Sequence, residues 1–444
     1  MRFTIVGFLA AHNGQQILQF FSKYSKPTRY TLIAPAIVGV LASLLATCAS
    51  GGVGQGAGTQ RSRVQRRGAG KPGEAVLTWR GPPGSDRIVP RGCDRLMSLT
   101  KQQALEMYQS DDLIGIGMEA DALRRKLHPE GVVTYIIDRN INYTNFCTEY
   151  CTFCAFYRPL KGPRAKEGYI LDFETIYEKI RETVELGGTG VLMQGGLDPD
   201  LKIDWHEQLL RGIKQRFPKI HLHCYSASEI IAVAEYSGLT IRDTILRLRD
   251  AGLDSIPGGG AEILDDEVRY KIARLKCLTD DWLNVHRTAH QIGMRTTATM
   301  MFGVGEKHEH RINHFQRLYE LQEETGGFTA FIPWTFQPAH TALGGRHWEE
   351  ATAVEYLKNL AISRLYLSNF KNVQSSWVTQ GLKVCQLGLR FGGNDVGSVM
   401  LEENVVRAAG VSNCTTEEEL RRIIRDAGFR PAQRDTLYRT YFLN

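Results

Sequence analysis

The main part of this chain has no surplus of positive charge. The formal net charge is +6 over 444 residues, but residues 1–96 carry 13 Lys/Arg against 3 Asp/Glu, a net of +10, which leaves −4 on residues 97–444. A mildly acidic body argues against binding a phosphate backbone, so no nucleic-acid partner is expected. A disulfide framework is also missing. Of nine cysteines (48, 93, 147, 151, 154, 224, 277, 385 and 414), only three are clustered. That usage suits a reducing compartment, and a cytoplasmic location is the expectation. Hydrophobic content of 43% and charged content of 23% are those of an ordinary globular protein. The length allows one large domain with additions, or two domains.

The clustered cysteines are Cys147, Cys151 and Cys154, spaced C-x3-C-x2-C, and no histidine lies within ten residues of them. Structural zinc is normally closed by a fourth Cys or His, and a disulfide would leave an odd thiol. Three thiolates this close can instead grip three corners of a cubic iron–sulfur cluster. The fourth iron is then open for chemistry, whereas a fully ligated cluster mainly carries electrons. Cys224, Cys277, Cys385 and Cys414 read as buried or incidental thiols.

Residues 1–96 differ from the rest. Leu32–Cys48 is apolar and is preceded by Lys23, Lys26 and Arg29, the pattern of a signal anchor or a short membrane span. Leu45-Ala46-Thr47-Cys48 faintly resembles a lipoprotein cleavage box, and the Gly/Arg/Pro-rich stretch from Gly51 to Arg95 reads as disordered. A span here would carry everything after it out of the cytoplasm, where an oxygen-sensitive cluster does not belong. The expectation is therefore that the native protein begins near Met97, with 1–96 a translated upstream extension and no membrane partner. A true tether or targeting segment is the competing reading. N-terminal sequencing of the native protein separates the two.

From Met97 on, two helices are expected at about 101–109 and 112–127, with Thr100 and Ser110 as caps. Strand-like runs follow at Thr134–Asn142, Gly190–Gln194, Ile220–Tyr225, Ser255–Pro257, Arg295–Phe302, Thr329–Trp334, Val373–Trp377 and Leu387–Phe391. Helical patterns lie between most of them. The clearest is 172–186, with Asp172 as N-cap, Phe173, Ile176, Ile180 and Val184 on one face, and Gly187-Gly188 as the stop. Such alternation predicts an α/β fold over 97–444, a parallel (β/α) barrel of TIM type with eight units and a helical N-terminal cap; the last two units are the least marked, and a six-unit open barrel is the alternative. In such barrels chemistry sits at the C-terminal ends of the strands, and the unusual residues gather there.

The C-x3-C-x-aromatic-C motif, with Phe153 as the aromatic residue, resembles the radical S-adenosylmethionine (SAM) signature. Gln194-Gly195-Gly196-Leu197 looks like the superfamily's glycine-rich SAM motif, with Leu197 where an acidic residue is usual. Thr299-Met300-Met301-Phe302-Gly303 is similar to its adenine-contacting segment, and Glu262 in Pro257-Gly-Gly-Gly-Ala-Glu262 is placed to accept a ribose hydroxyl or, equally, to sit on a helix dipole. Phe328–Pro338, Gln374–Gly381 and Leu389–Asp395 combine aromatics, amides and one arginine, a lining for a large substrate with a ring and several hydroxyls. Together these segments closely resemble the cyclic dehypoxanthinyl futalosine synthase family of menaquinone biosynthesis, from about Ser98 to Tyr438. Aminofutalosine synthase and the FO synthase subunits are related alternatives.

The resemblance implies a [4Fe–4S] cluster on Cys147, Cys151 and Cys154. It implies SAM beside Phe153, Gly195, Gly196, Glu262 and Gly303, and a reducing donor such as flavodoxin or ferredoxin. The 5′-deoxyadenosyl radical would remove hydrogen from ribose C4′ of dehypoxanthine futalosine. The carbon radical would then close onto the benzoate ring, with loss of an electron and a proton. Trp334, Gln337, Trp377 and Asn394 are the substrate candidates, and Arg390 is the candidate for the carboxylate because a guanidinium fork matches it. The base is Asp395, Glu262 or Tyr225. The site must exclude water and hold the target carbon at roughly 3–4 Å.

Overall fold

The computed structural model describes residues 99–346, 348–439 and 441–442. The apolar run Leu32–Cys48, the extension around it and the expected start at Met97 lie outside the described residues. Two helices open the described chain: α1 (Lys101–Gln109) and α2 (Leu113–Leu127). Thr100 caps α1 in a capping box with Gln103. The expected Ser110 cap is replaced by Asp112, whose carboxylate accepts the Gly115 N–H, and Ser110 ends the previous helix instead.

Seven strands then form one parallel sheet in chain order: β2 (Asn140–Ile141), β3 (Gly190–Met193), β4 (His221–Cys224), β5 (Ser255–Ile256), β6 (Arg295–Phe302), β7 (Phe328–Thr335) and β8 (Asn372–Val373). Parallel neighbours need crossovers, and helices supply them. They are α3 (Phe173–Glu185), α4 (Ile203–Arg216), α5 (Ala227–Ser237), α6 (Ile241–Ala251), α7 (Asp266–Ile272), α8 (Thr279–Gln291), α9 (His308–Thr325) and α10 (Ala353–Tyr366). In α3 the buried face is Ile176, Tyr177, Ile180 and Thr183. Burying each of the two isoleucines contributes about 1.5–3 kcal/mol. Val184, expected on that face, points outward at 45% exposure because the 3.6-residue period places Thr183 there instead.

The end of the expected barrel is rearranged. The run Thr134–Asn142 divides into β1 (Val132–Ile136) and β2, and β1 leaves the main sheet. It pairs in parallel with β9 (Asp395–Ser398) on one side and β10 (Arg430–Arg434) on the other, with β11 (Tyr441–Phe442) antiparallel at the edge. Leu387–Phe391, read as a strand, is the last turn of α11 (Gly381–Gly388) and the turn after it; β9 starts four residues beyond. A parallel bridge from Gln374 to Asp395 joins the end of β8 to β9. The curled seven-stranded half-barrel is thus continued by a second sheet with its own core of Val133, Tyr135, Val396 and Ile424. The helices α12 (Val405–Ala408) and α13 (Glu417–Asp426) lie between β9 and β10. Among the described residues no helix is long and apolar enough to cross a membrane.

Candidate active site

The cysteine loop leaves β2 and is held by its own backbone and by one arginine. Cys147 N–H donates to the Arg158 carbonyl (3.0 Å) and Arg158 N–H to that of Asn145 (2.6 Å). The Arg158 Nη1 then donates to the carbonyls of Ala155, Phe156 and Tyr157, at 3.0, 3.0 and 2.9 Å. Thr152 N–H reaches the Ile272 carbonyl at the end of α7 (2.9 Å). The three thiols lie on the wall of a cavity of about 410 Å³ at the C-terminal ends of the strands. Cys151 is buried, and Cys147 and Cys154 are half-buried. Burial, then the Glu149 carboxylate, pushes the Cys147 thiol up to about 11. Burial also raises Cys151 and Cys154. Thiols held in this way ionise on binding a metal. Among the described residues no three His, Cys, Asp or Glu side chains converge as a single-ion site requires. A cubane, which takes each thiolate on a separate iron, does not need that convergence.

Beside the loop, Gly195 and Gly196 form the turn after β3. A Cβ on Gly196 would stand 2.1 Å from the Phe146 carbonyl oxygen, and one on Gly195 would stand 2.6 Å from the Tyr143 ring. The turn's N–H groups are already committed, Gly196 to the Thr144 carbonyl (2.9 Å) and Gly195 to Glu229 Oε1 (2.8 Å). What the turn can offer an ammonium group is carbonyl oxygen. Glu229, buried in α5, also accepts from Tyr143 Oη (2.7 Å), Ser226 N (2.6 Å) and Ser226 Oγ (2.7 Å), and so ties the ends of β2, β3 and β4 together. Gly196→Ala is expected to push the turn off the cysteine loop and to cut SAM affinity at least tenfold, measured by equilibrium dialysis. Wild-type affinity would show that the close packing is not needed.

A charged knot lies across the wall. Lys276 Nζ is 2.7 Å from Glu149 and 3.7 Å from Glu262. Burial pulls the lysine's pKa down, but Glu149, the Cys151 thiol and Glu262 carry it well above the usual value. Glu262 has φ +41, a left-handed conformation that costs a non-glycine residue about 1–3 kcal/mol and persists where its surroundings enforce it. Phe153 and Trp334 also line the cavity, as do Asp138 from the link between β1 and β2, His223 from β4 and Arg434 from β10. His223 is neutral, lowered to about 3 by burial and by the positive potentials of His221 and Arg434.

Other expected site residues lie elsewhere. Arg390 is on the outer surface: its Nη2 donates to the Ala427 carbonyl (2.6 Å) and its guanidinium covers the Phe429 ring at 4.4 Å. Trp377 packs in the second core and donates to the Ser398 carbonyl (2.9 Å). Asn394 bridges Arg364 (2.6 Å) and Asn372 (2.9 Å), Gln337 folds back onto Thr335 (3.1 Å), and Gly303 is a turn whose carbonyl accepts from Trp348 Nε1 (2.6 Å). Tyr225 is buried behind Tyr143 rather than in the wall, and Asp395 is ion-paired with Arg434 (2.6 Å). The cations that do reach the cavity are Lys276 and Arg434. Neither stands in an apolar strand-like run, so periodicity gave no sign of them. A charged residue inside the apolar Thr134–Asn142 run was the available signal for Asp138.

Residues 141–318 match the profile of the Radical SAM superfamily, and residues 325–443 that of the CofH/MqnC C-terminal region. A cyclic dehypoxanthine futalosine synthase of Halalkalibacterium halodurans is 49% identical over 340 residues, 77% of this chain and 90% of that protein. The chain belongs to the radical SAM superfamily, in the family of that enzyme. A Streptomyces coelicolor protein of the same name is 43% identical over 77% of this chain and 85% of its own. An Archaeoglobus fulgidus protein named 5-amino-6-(D-ribitylamino)uracil–L-tyrosine 4-hydroxyphenyl transferase is 40% identical over 75% of this chain and 96% of its own. Among solved structures, methylornithine synthase superimposes with a TM-score of 0.60 at 20% identity, covering 76% of this chain and 95% of that one, which speaks for the fold. The [FeFe]-hydrogenase maturase of Carboxydothermus hydrogenoformans gives 0.61 at 16% identity, over 77% of this chain and 78% of that one. Membership makes the protein a radical SAM enzyme and implies an iron–sulfur cluster and SAM acting on a small molecule.

Proposed function

We propose that this enzyme converts dehypoxanthine futalosine to its cyclic form. The observation that carries the reading is one cavity lined by Cys147, Cys151 and Cys154, by the close-packed Gly195–Gly196 turn, and by Trp334 and polar side chains, in a chain 49% identical to a synthase of that name. Cys147, Cys151 and Cys154 would hold the cluster, and the carbonyls of the Gly195–Gly196 turn would take the methionine ammonium of SAM. Two carboxylates on one lysine, Glu149 and Glu262 on Lys276, leave negative charge beside the sulfonium. Glu262 is the candidate for the ribose hydroxyls, with Phe153 against the cofactor. Bound together, the reduced cluster and SAM supply a 5′-deoxyadenosyl radical. The chain's own part is to orient the substrate ribose, with Trp334 against its ring, and to exclude water from the radical. Reduction would come from a flavodoxin or ferredoxin.

The test is anaerobic incubation of reconstituted, reduced enzyme with SAM and dehypoxanthine futalosine. 5′-Deoxyadenosine and a product lighter by two hydrogens are expected. Deoxyadenosine without that product rejects the reading. The archaeal relatives' name motivates a parallel incubation with tyrosine and the ribitylaminouracil, in which coupling would move this enzyme to their activity.

A further inference from the structure

Closing a ring onto an arene requires a proton acceptor, and the three acceptors expected from sequence are poorly placed for it. Asp395 already accepts from Arg434, Thr134 and Gly397. The Tyr225 hydroxyl is buried outside the cavity wall, and Glu262 faces Lys276. Another carboxyl that lines the cavity, Asp138, is not among them. Asp138 sits in the three-residue link where β1 leaves the second sheet and β2 enters the main one. The backbone there is fixed: the Asp138 carbonyl accepts from Leu401 N–H (3.2 Å), and Asp138 Oδ1 accepts from Ser398 Oγ, which in turn accepts from Met400 N–H (2.6 Å). One carboxylate oxygen is thus oriented by Ser398 while the group opens on the cavity.

We propose that Asp138 is the base that takes the ring proton in the cyclisation, an inference that rests on the function proposed above. When the ribose C4′ radical adds to the ring, one electron from the radical and one from a ring π bond make the new C–C bond, and a delocalised ring radical is left. Breaking the C–H bond at the new junction restores aromaticity. The proton passes to the Asp138 carboxylate, and the remaining electron passes to a one-electron acceptor, an oxidised iron–sulfur cluster. The base must be ionised at the working pH yet basic enough to take the proton. Burial raises the Asp138 carboxyl to about 6, held back by the Ser398 hydrogen bond and the Arg434 charge and supported by the Asp395 charge. Glu403, paired with Asn140, neutral His223 and Tyr438, whose hydroxyl burial holds well above its usual range and whose ring lies under Arg434, also line the cavity.

Asp138→Asn keeps the shape and the Ser398 hydrogen bond. It is expected to form 5′-deoxyadenosine but to lower the ratio of cyclised product to deoxyadenosine by about 100-fold, the scale of a lost general base. Wild-type enzyme should lose that ratio as pH falls through about 6, where the carboxyl is protonated. Ser398→Ala removes the bond that holds the carboxyl down, so its acid limb should move to higher pH. Difference infrared spectra of the protein without substrate should show a carboxyl titrating near pH 6 that is missing in Asp138→Asn. An unchanged ratio in Asp138→Asn, a Ser398→Ala limb that stays in place, or loss of deoxyadenosine formation along with product in Asp138→Asn each overturns the proposal. If wild-type enzyme makes deoxyadenosine but no cyclised product, the functional reading itself fails, and the assignment of Asp138 fails with it.

Discussion

Cys151→Ala is expected to give a folded, nearly colourless protein that forms no 5′-deoxyadenosine above background. The reason lies in what a single thiol does for the fold and for a cluster. Cys151 is 6% exposed and packs as a small apolar group, so losing its sulfur should change stability by about 1 kcal/mol or less. A cubane held by three thiolates has no spare ligand. With two left, the loop between Asn145 and Arg158 keeps its backbone hydrogen bonds but has lost a corner of its metal grip. Cys147→Ala and Cys154→Ala should behave alike. Cys224→Ala and Cys385→Ala, equally buried but outside the cavity wall, should retain iron and SAM cleavage. Iron and sulfide content after anaerobic reconstitution, visible absorption and deoxyadenosine yield check the series. Turnover by any of the three loop variants would sink the cluster assignment.

The end of the cavity proposed for the cofactors is legible in the sequence because its chemistry is local. Three cysteines within eight residues and glycines at strand ends carry their meaning in their spacing. The alternation of strands and helices likewise exposed the half-barrel, since each buried parallel strand is a short apolar run. The end of the cavity proposed for the substrate is hidden for the converse reason. It is assembled from β1 and, across the whole half-barrel in sequence, β9 and β10, and β10 reads Arg-Pro-Ala-Gln-Arg, with no apolar alternation to announce a strand. Arg390 was the visible cation in an aromatic segment, but the turn after α11 directs it outward over Phe429, while Arg434 occupies the cavity wall. Trp377 and Asn394 are large or polar for structural reasons: one fills the second core, and the other satisfies Arg364 and the backbone between β8 and β9.

Asp395→Ala is expected to be the most destabilising single change on the substrate side, at about 3–5 kcal/mol, the usual cost of leaving one member of a buried ion pair alone. Asp395 is fully buried and accepts four hydrogen bonds: from Arg434 Nε (2.6 Å) and Nη2 (3.1 Å), Thr134 Oγ1 (2.5 Å) and Gly397 N (2.8 Å). These ties join β1, β9 and β10 at one point. Burial pulls the Arg434 pKa down and the Asp395 carboxylate more than restores it, so without Asp395 a guanidinium is left in a low-dielectric wall with little to balance it. The pair need not be worth much in itself. Replacing both partners, Asp395→Leu with Arg434→Met, should recover most of the loss, because two apolar side chains avoid both desolvation costs. Urea midpoints for Asp395→Leu, Arg434→Met and the double variant, alongside Asp395→Ala, make the comparison. A loss below about 1 kcal/mol in Asp395→Ala, or a double variant as unstable as the sum of the singles, would show that the charges are not coupled in this way.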